Sequence, residues 1–293
     1  MAQKTYKLLG YPLAHSLSPF IHERLFQLSK KNSIYDLYEI SQQNFDQNVE
    51  SLLKNDGLNI TIPYKVEIIK HLDKIDERAQ LYNSVNTVHC GEKGTVGYNT
   101  DCYGFLQGIK DLGTSLEAGP VLLLGAGGAA NMIATEVALA GSRLTIAVRE
   151  SGLPKAEALR NQLMTVNAAC HVTVTTLDKI EGSYHLLVNA TPVGMYPHMN
   201  ECPVSREVIS SVKFVYDLIY NPVETRLIQI ARELSIPAAN GISMLVWQAV
   251  FAHKIWYQAK FKKEDIEKLI HDTEETIVNH FVQKLSERAT QNS

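Results

Sequence analysis

The feature that most constrains the fold is a glycine cluster placed directly after a continuous apolar run. Val121 to Leu124 is uniformly apolar, as in a parallel strand that is buried on both faces. A glycine-rich turn ends this run, and Asn131 to Ala140 then has the composition of a helix. In a strand, glycine turn and helix of this kind, the backbone can approach a pyrophosphate at the helix N-terminus. The pattern predicts a dinucleotide site at Gly125, Ala126, Gly127, Gly128 and Ala129.

Apolar runs on either side of this unit predict an α/β fold class. Four more strands are expected downstream, separated by segments long enough for crossover helices: Leu144–Val148, His171–Thr175, Leu186–Asn189 and Phe214–Leu218. Together they predict a doubly wound, Rossmann-type sheet. Upstream, strands at Tyr6–Leu9 and Leu58–Ile62 and a helix at Pro19–Ser29 predict a separate α/β layer. A buried helix at Met244–Tyr257 and an amphipathic tail complete the expected fold.

The end of the second strand of the Rossmann-type unit bears on the choice of dinucleotide. Arg149 can stack on adenine and pair with a 2′-phosphate, and Lys155 is close enough in sequence to join it. Glu150 points the other way, because an acid at this position can accept a hydrogen bond from a ribose hydroxyl. We expect NADP as the cofactor, with NAD as the open alternative.

Charge and cysteine content exclude several classes of partner and site. The formal net charge of the 293 residues is -3, and no dense run of Lys or Arg is present, so neither nucleic acid nor an anionic membrane is the expected partner. Four scattered cysteines suggest neither a disulfide framework nor a metal site. The longest apolar stretch is interrupted by glycines and by Glu136. These features predict a cytoplasmic protein that acts on small molecules.

Four polar clusters precede the glycine turn, at His15–Pro19, Asn59–Lys65, Asn86–Thr87 and Asn99–Asp101. Each cluster has a simple structural explanation when taken alone. Serine and aspartate, as at Ser16, Ser18 and Asp101, often cap helices, and a lysine such as Lys65 usually lies on the surface. In this order, however, the clusters resemble the shikimate dehydrogenase family. The resemblance continues through Asn189–Met195, Tyr216–Pro222, Asn240–Gly241 and Met244–Gln248.

The resemblance implies an activity and a division into two domains. The implied activity is the reversible, NADP-dependent reduction of 3-dehydroshikimate to shikimate, an oxidoreductase step of aromatic amino-acid (chorismate) biosynthesis. Residues 1–104 and 240–293 would form the substrate-binding domain, to which the C-terminal helices return. Residues 105–239 would form the Rossmann-type domain. The protein would be a monomer or a homodimer.

The resemblance also assigns roles to individual residues. Lys65 and Asp101 would be catalytic. The substrate would be held by Ser16, Ser18, Thr61, Asn86, Asp101, Tyr220 and Gln248, while Leu218 and Gly241 would lie against the nicotinamide. Val148 and Glu150 depart from the residues common in the family, which bears on the cofactor and leaves the catalytic assignment unchanged.

Reduction of a ring ketone requires a proton donor within hydrogen-bond reach of the developing alkoxide, and the ammonium of Lys65 can supply it. Three alternatives remain at this stage. The chain could prefer quinate or NAD, it could be a catalytically silent ligand sensor of the same fold, or it could be another two-domain dehydrogenase such as one acting on a folate. The intact Lys65 and Asp101 argue against the sensor, and the paired serines argue against the folate enzyme.

Overall fold

The computed structural model describes residues 3–13 and 16–291, with side chains described as far as residue 279. The chain divides into two compact units, which comprise residues 1–104 with 245–270, and residues 105–244 with 271–293. His15, which belongs to the first polar cluster, lies outside the described residues. Helices α4 (Asp101–Asp111), α9 (Ile242–Tyr257) and α10 (Lys263–Gln291) contribute residues to both units.

The first unit is built on a mixed sheet. Its remaining elements are β1 (Lys4–Gly10), α1 (Ser18–Leu28), β2 (Ser33–Glu39), α2 (Phe45–Leu52), β3 (Gly57–Ile60), β4 (Lys74–Ile75), α3 (Glu77–Tyr82), β5 (Thr87–Gly91) and β6 (Gly94–Tyr98). Among the described residues the strand order is β2-β1-β3-β5-β6-β4. β1 pairs in parallel with β2 and β3, whereas β5 runs antiparallel to both β3 and β6. Three of the four polar clusters lie at the ends of β3 and β6 and at the start of β5.

Apolar side chains cover both faces of this sheet. One cluster joins the sheet to α2 and includes Leu9, Phe45 and Ile60. A second cluster packs Tyr6 of β1 against Phe26 of α1 and Trp256 of α9. Burying each such side chain contributes roughly 1.5–3 kcal/mol to folding. The strands whose ends carry the polar residues are therefore held by apolar packing against the sheet.

The second unit contains a parallel sheet. Its remaining elements are β7 (Val121–Leu124), α5 (Gly128–Leu139), β8 (Leu144–Val148), α6 (Leu153–Val166), β9 (Val172–Thr176), β10 (Tyr184–Asn189), α7 (Arg206–Ser210), β11 (Val212–Asp217), α8 (Arg226–Glu233) and β12 (Ala238–Ala239). In the described residues the order is β12-β11-β10-β7-β8-β9, and every adjacent pair is parallel. This is the strand order of the Rossmann fold. The predicted α/β fold class is confirmed.

The strand order places a crevice at the carboxyl ends of β7 and β10. The chain leaves β7 towards β8 and leaves β10 towards β11, which lie on opposite sides of this central pair. In open α/β sheets, ligands bind where the strand order reverses in this way. Gly125 follows β7 and Ala190 follows β10, so both lie at the reversal point.

The compact units differ slightly from the domain boundaries expected from sequence. Residues 240–244 and 271–293 group with the second unit rather than with the first. For residues 240–244 the reason is local, because β12 pairs with β11 and the Gly241 N–H donates to the Ile219 carbonyl at 3.0 Å. The functional division of the chain stays a prediction.

Candidate active site

Lys65 and Asp101 form a direct ion pair in the first unit. Lys65 Nζ lies 2.6 Å from Asp101 Oδ2, although the two residues are 36 positions apart in the chain. Asp101 is the first residue of α4, where the helix dipole favours a negative charge. The Lys65 and Asp101 side chains are 29% and 21% exposed, respectively, so a ligand can reach both groups.

Asn86 fixes the orientation of the Asp101 carboxylate. Asn86 Nδ2 donates to Asp101 Oδ1 at 2.8 Å, so both carboxylate oxygens accept a hydrogen bond. The amide cannot flip without loss, because Asn86 Oδ1 accepts from the Thr100 backbone N–H at 2.6 Å. Thr87 Oγ1 also donates to this oxygen, at 3.1 Å. Asn86 is only 3% exposed, so its amide is protected from competing water.

Ser16 and Ser18 lie at the start of α1. The N-cap residue of this helix is Leu17, which makes no side-chain capping hydrogen bond. Ser16 Oγ accepts from the Ser18 N–H at 3.3 Å. Both serines are partly exposed. Ser18 therefore does not act as a simple helix cap.

The other predicted substrate residues are distributed over both units. Thr61 directly follows β3, where its N–H donates to the Leu9 carbonyl at 2.8 Å. Gln248 lies in α9, and its Nε2 donates to the Leu245 carbonyl at 2.9 Å. Tyr220 belongs to the second unit, where burial raises its pKa. The structure thus joins Lys65, Asp101 and Asn86 directly and places Thr61 and Gln248 in the same unit.

The glycine turn of the second unit has the conformation that its sequence suggests. Gly125 has a φ of +106°, and a Cβ there would lie 3.1 Å from the Ala190 carbonyl oxygen. A Cβ on Gly127 or Gly128 would meet no atom within 4 Å, so the space before α5 is open. Gly127 is the N-cap of α5 and offers no side-chain cap, which leaves N–H groups of the first turn free to bind an anion. Ala126 and Ala129 flank these glycines.

Two further pairs of predicted cofactor residues lie in the same unit. Leu218 and Gly241 are in contact, since a Cβ on Gly241 would lie 2.1 Å from the Leu218 carbonyl oxygen. Only glycine fits there. Arg149 directly follows β8, and Lys155 lies in the first turn of α6. Both cations are exposed, and neither forms an ion pair with any described residue.

Buried hydrogen bonds support the backbone next to Leu218. Asp217 is fully buried, and its carboxylate accepts from Asn189 Nδ2 at 3.0 Å, Thr225 Oγ1 at 2.6 Å and the Ile219 N–H at 3.1 Å. Desolvation by burial raises the pKa of Asp217 to about 6, although all three donors act to lower it. These bonds tie the ends of β10 and β11 together.

The chain is similar along most of its length to known proteins. Residues 8–88 match the shikimate dehydrogenase substrate binding domain family. A shikimate dehydrogenase (NADP(+)) from Caldanaerobacter subterraneus subsp. tengcongensis is 36% identical over 266 residues, which cover 89% of this chain and 94% of the relative. The chain belongs to the shikimate dehydrogenase family.

Solved structures of similar proteins agree with this family assignment. Shikimate 5-dehydrogenase from Thermus thermophilus, in complex with NADP(H) and shikimate, superposes with a TM-score of 0.82 at 29% identity, covering 92% of this chain and 99% of that protein. A 5-ketofructose reductase of Gluconobacter sp. strain CHM43 superposes with a TM-score of 0.81 at 28% identity, with coverage of 93% and 99%. The predicted membership of the shikimate dehydrogenase family is confirmed.

Sequence reasoning assigned no role to several residues that hold the site together in this family member. Thr87 and Thr100 stood within the quoted clusters, and their polarity at strand ends was the available signal. Tyr35 stood in no cluster, and nothing in its local sequence distinguishes it from an ordinary strand tyrosine. In the described part of the chain, no group of three or more His, Cys, Asp or Glu is arranged to hold a metal ion, and no helix is long and apolar enough to cross a membrane.

Proposed function

We propose that this chain catalyses the reversible, NADP-dependent reduction of 3-dehydroshikimate to shikimate. The observation that carries the proposal is the Lys65–Asp101 pair, oriented by Asn86 and accessible to a ligand. Family membership supports the same reaction, since the similar proteins from Caldanaerobacter and Thermus are shikimate dehydrogenases. Such an enzyme belongs to the biosynthesis of chorismate and of the aromatic amino acids.

In the proposed mechanism, Lys65 handles the proton. Its ammonium stabilises the negative charge that develops on the carbonyl oxygen and then donates a proton to it, so that the ketone becomes a hydroxyl group. Asp101 accepts from the ammonium at 2.6 Å and keeps it directed into the site. Bound NADPH supplies the hydride. In the reverse direction, neutral Lys65 removes the hydroxyl proton.

The residues of the second unit fit a dinucleotide phosphate. The open space before α5 and its uncapped first turn suit a pyrophosphate, and the exposed Arg149 and Lys155 are available to pair with a 2′-phosphate. We assign the polyol and carboxylate contacts to Ser16, Ser18, Thr61, Asn86, Tyr220 and Gln248. Leu218 and Gly241 then border the nicotinamide.

The paired serines favour shikimate over a ketone that lacks a carboxylate. The structural similarity to a 5-ketofructose reductase shows that such ketones deserve a direct comparison. Ser16 and Ser18 offer two hydroxyl groups at the start of α1, where a carboxylate is also favoured by the helix dipole. A sugar ketone gains nothing from that position, so we place it second.

The first test compares shikimate, quinate and 5-ketofructose with NADP and NAD in each pairing, by following nicotinamide absorbance. We expect shikimate with NADP to give the highest kcat/KM. No turnover with any pair would instead indicate a ligand sensor.

Lys65→Ala should lower kcat by about a hundredfold or more and leave NADP binding unchanged. The matched control is Lys93→Ala, which removes an exposed lysine between β5 and β6. Equal activity of Lys65→Ala and the native chain would refute a catalytic role for Lys65.

A further inference from the structure

Asp217, the last residue of β11, fixes the backbone that follows it. The Leu218 N–H donates to the Asn189 carbonyl at 3.0 Å, and the next N–H, that of Ile219, donates to Asp217 Oδ1 at 3.1 Å. Asn189 Nδ2 donates to the same carboxylate oxygen at 3.0 Å. Two consecutive N–H groups after β11 are therefore held by one pair of residues at the ends of β10 and β11.

The side chains that bond to Asp217 are themselves fixed. Asn189 Oδ1 accepts from the Thr191 N–H at 3.0 Å, so the Asn189 amide must present its NH2 group to Asp217. Thr225 is the N-cap of α8, and its hydroxyl donates to Asp217 Oδ2 at 2.6 Å and accepts from the Ile228 N–H at 3.4 Å. The chain from residue 217 to residue 225 is therefore a loop whose two ends are bonded to each other.

The opposite side of this loop is closed by Gly241. Its N–H donates to the Ile219 carbonyl at 3.0 Å. A Cβ at position 241 would lie 2.1 Å from the Leu218 carbonyl oxygen, so the two backbones are in direct contact. Gly241 blocks movement of Leu218 in one direction, and the bonds to Asp217 and Asn189 resist movement in the other.

The charge of Asp217 is not explained by stability. Burial raises the pKa of Asp217 from its ordinary value of 3.8 to about 6, although its three donors act to lower it. The native state thus holds this proton more tightly than the unfolded state does, so stability falls as pH rises through this range and the ionised group is disfavoured at neutral pH. What the side chain provides is geometry, because its two oxygens accept three hydrogen bonds at once.

We propose that Asp217 is a positioning residue that holds the Leu218 backbone where it seats the nicotinamide ring of NADP. The inference rests on the proposed function, which takes Leu218 and Gly241 as the border of the nicotinamide. Asp217 is fully buried, so it acts through Leu218 rather than by touching the cofactor. The adenosine phosphates are assigned to other elements, the glycine turn before α5 and the exposed cations after β8. Loss of Asp217 should therefore affect only the nicotinamide end of the cofactor.

The test compares Asp217→Ala with the conservative variant Asp217→Asn. In Asp217→Ala the three buried donors lose their acceptor, and the Leu218 backbone is no longer held. In Asp217→Asn the amide oxygen can still accept from Asn189 and Ile219. Its NH2 group can donate to the Thr225 oxygen, because a hydroxyl both donates and accepts. The asparagine should therefore restore most of what the alanine loses.

Binding is measured by titration calorimetry with NADPH and with 2′-phospho-ADP-ribose, which has the same phosphates and adenosine but no nicotinamide. Asp217→Ala should weaken NADPH about tenfold and 2′-phospho-ADP-ribose by less than about twofold. Asp217→Asn should bind both within about threefold of the native chain. With shikimate, kcat of Asp217→Ala should also fall about tenfold or more, because hydride transfer depends on the exact placement of the ring.

Two controls separate positioning from a general loss of stability. Leu163→Ala removes a fully buried side chain from α6 of the same unit, and it should lower the thermal unfolding temperature while leaving the ratio of the two affinities unchanged. If Asp217→Ala does not fold, Thr225→Val takes its place. Thr225→Val should weaken NADPH about threefold with 2′-phospho-ADP-ribose unchanged, and Thr225→Ser should restore the native affinity.

Equal weakening of the two ligands in Asp217→Ala, or no weakening of either, would overturn the inference. Equal losses in Asp217→Asn and Asp217→Ala would also overturn it, since the charge rather than the hydrogen bonds would then matter. These measurements need no turnover, so they remain decisive if the native chain binds NADPH but does not oxidise shikimate and the proposed reaction is refuted. If the native chain does not bind NADPH, the proposed function and the inference are both refuted.

Discussion

Asp101→Asn tests whether the carboxylate is needed to direct Lys65. The substitution keeps the shape of the side chain but replaces one oxygen with an NH2 group. In the native chain both oxygens of the Asp101 carboxylate accept a hydrogen bond, one from Lys65 at 2.6 Å and one from Asn86 at 2.8 Å. Either orientation of the new amide therefore places a donor against a donor. The ammonium also loses its counter-charge.

The expected magnitude follows from these contacts. A hydrogen bond to a charged group contributes about 1.5–3 kcal/mol, and partial exposure of both side chains reduces this to about 1–2 kcal/mol. Misdirection alone would therefore lower kcat by roughly 5- to 30-fold. Loss of positioned proton transfer lowers the rate by a factor of about 10² or more, so we expect kcat to fall by at least about a hundredfold in total.

Steady-state kinetics in both directions, with shikimate and with 3-dehydroshikimate, measure this effect. The control is Asp36→Asn, which changes an exposed carboxylate on β2. Because Lys65 and Asp101 are expected to act as a unit, Lys65→Ala with Asp101→Asn should be little worse than Lys65→Ala alone. If folded Asp101→Asn retained kcat within about threefold of the native value, the reasoning would be refuted.

Three further predictions concern the cofactor, the glycine turn and acid stability. Arg149→Ala should raise KM for NADP about tenfold and KM for NAD by clearly less, because both carry the adenine on which Arg149 can stack but only NADP carries the 2′-phosphate. Equal changes in both KM values would contradict this. Gly125→Ala should lower the free energy of unfolding, measured with urea, by more than Gly113→Ala does. Both glycines have positive φ, but only at Gly125 would a Cβ also meet a carbonyl oxygen. Equal losses of stability in the two variants would rule out an effect of that contact. Burial lowers the pKa of His22 and His253 below the unfolded value of 6.5, so the unfolded state binds more protons and stability falls as pH drops below 6.5. From about pH 7 to pH 5.5 each histidine should remove about 1 kcal/mol, and a His253→Phe variant should show a shallower dependence.

Five of the six strands of the parallel sheet were predicted from sequence, whereas the two-residue β12 was not. The expected strands at Val121–Leu124 and Leu144–Val148 coincide with β7 and β8. Strands buried on both faces must be apolar throughout, so their ends are marked by the first polar residue or glycine. By contrast, β2 and the β5–β6 hairpin carried no clear signal. β2 is an edge strand with mixed exposure, and Gly94 and Gly97 interrupt the pattern of β6.

Individual residues of the candidate site could be predicted from sequence, but the contacts between them could not. Local motifs placed Lys65 and Asp101 at a strand end and a helix start, and the structure brings them together. Spacing alone could not specify that contact, because it depends on the pairing of β3 with β5 and of β5 with β6. Tyr35 was missed for the same reason, since its partner Asn59 lies 24 residues away.

Two backbone groups decide the direction of the hydrogen bonds that join Asn86 to Asp101 and Tyr35 to Asn59. The Thr100 N–H requires Asn86 to present its oxygen, so the Asn86 NH2 must donate to Asp101, which can then serve only as an acceptor for Lys65. The Asn86 carbonyl requires Asn59 to present its NH2, so Asn59 Oδ1 must accept from Tyr35. The sequence identifies these side chains, but the direction of the hydrogen bonds between them follows from where the fold places the two peptide groups.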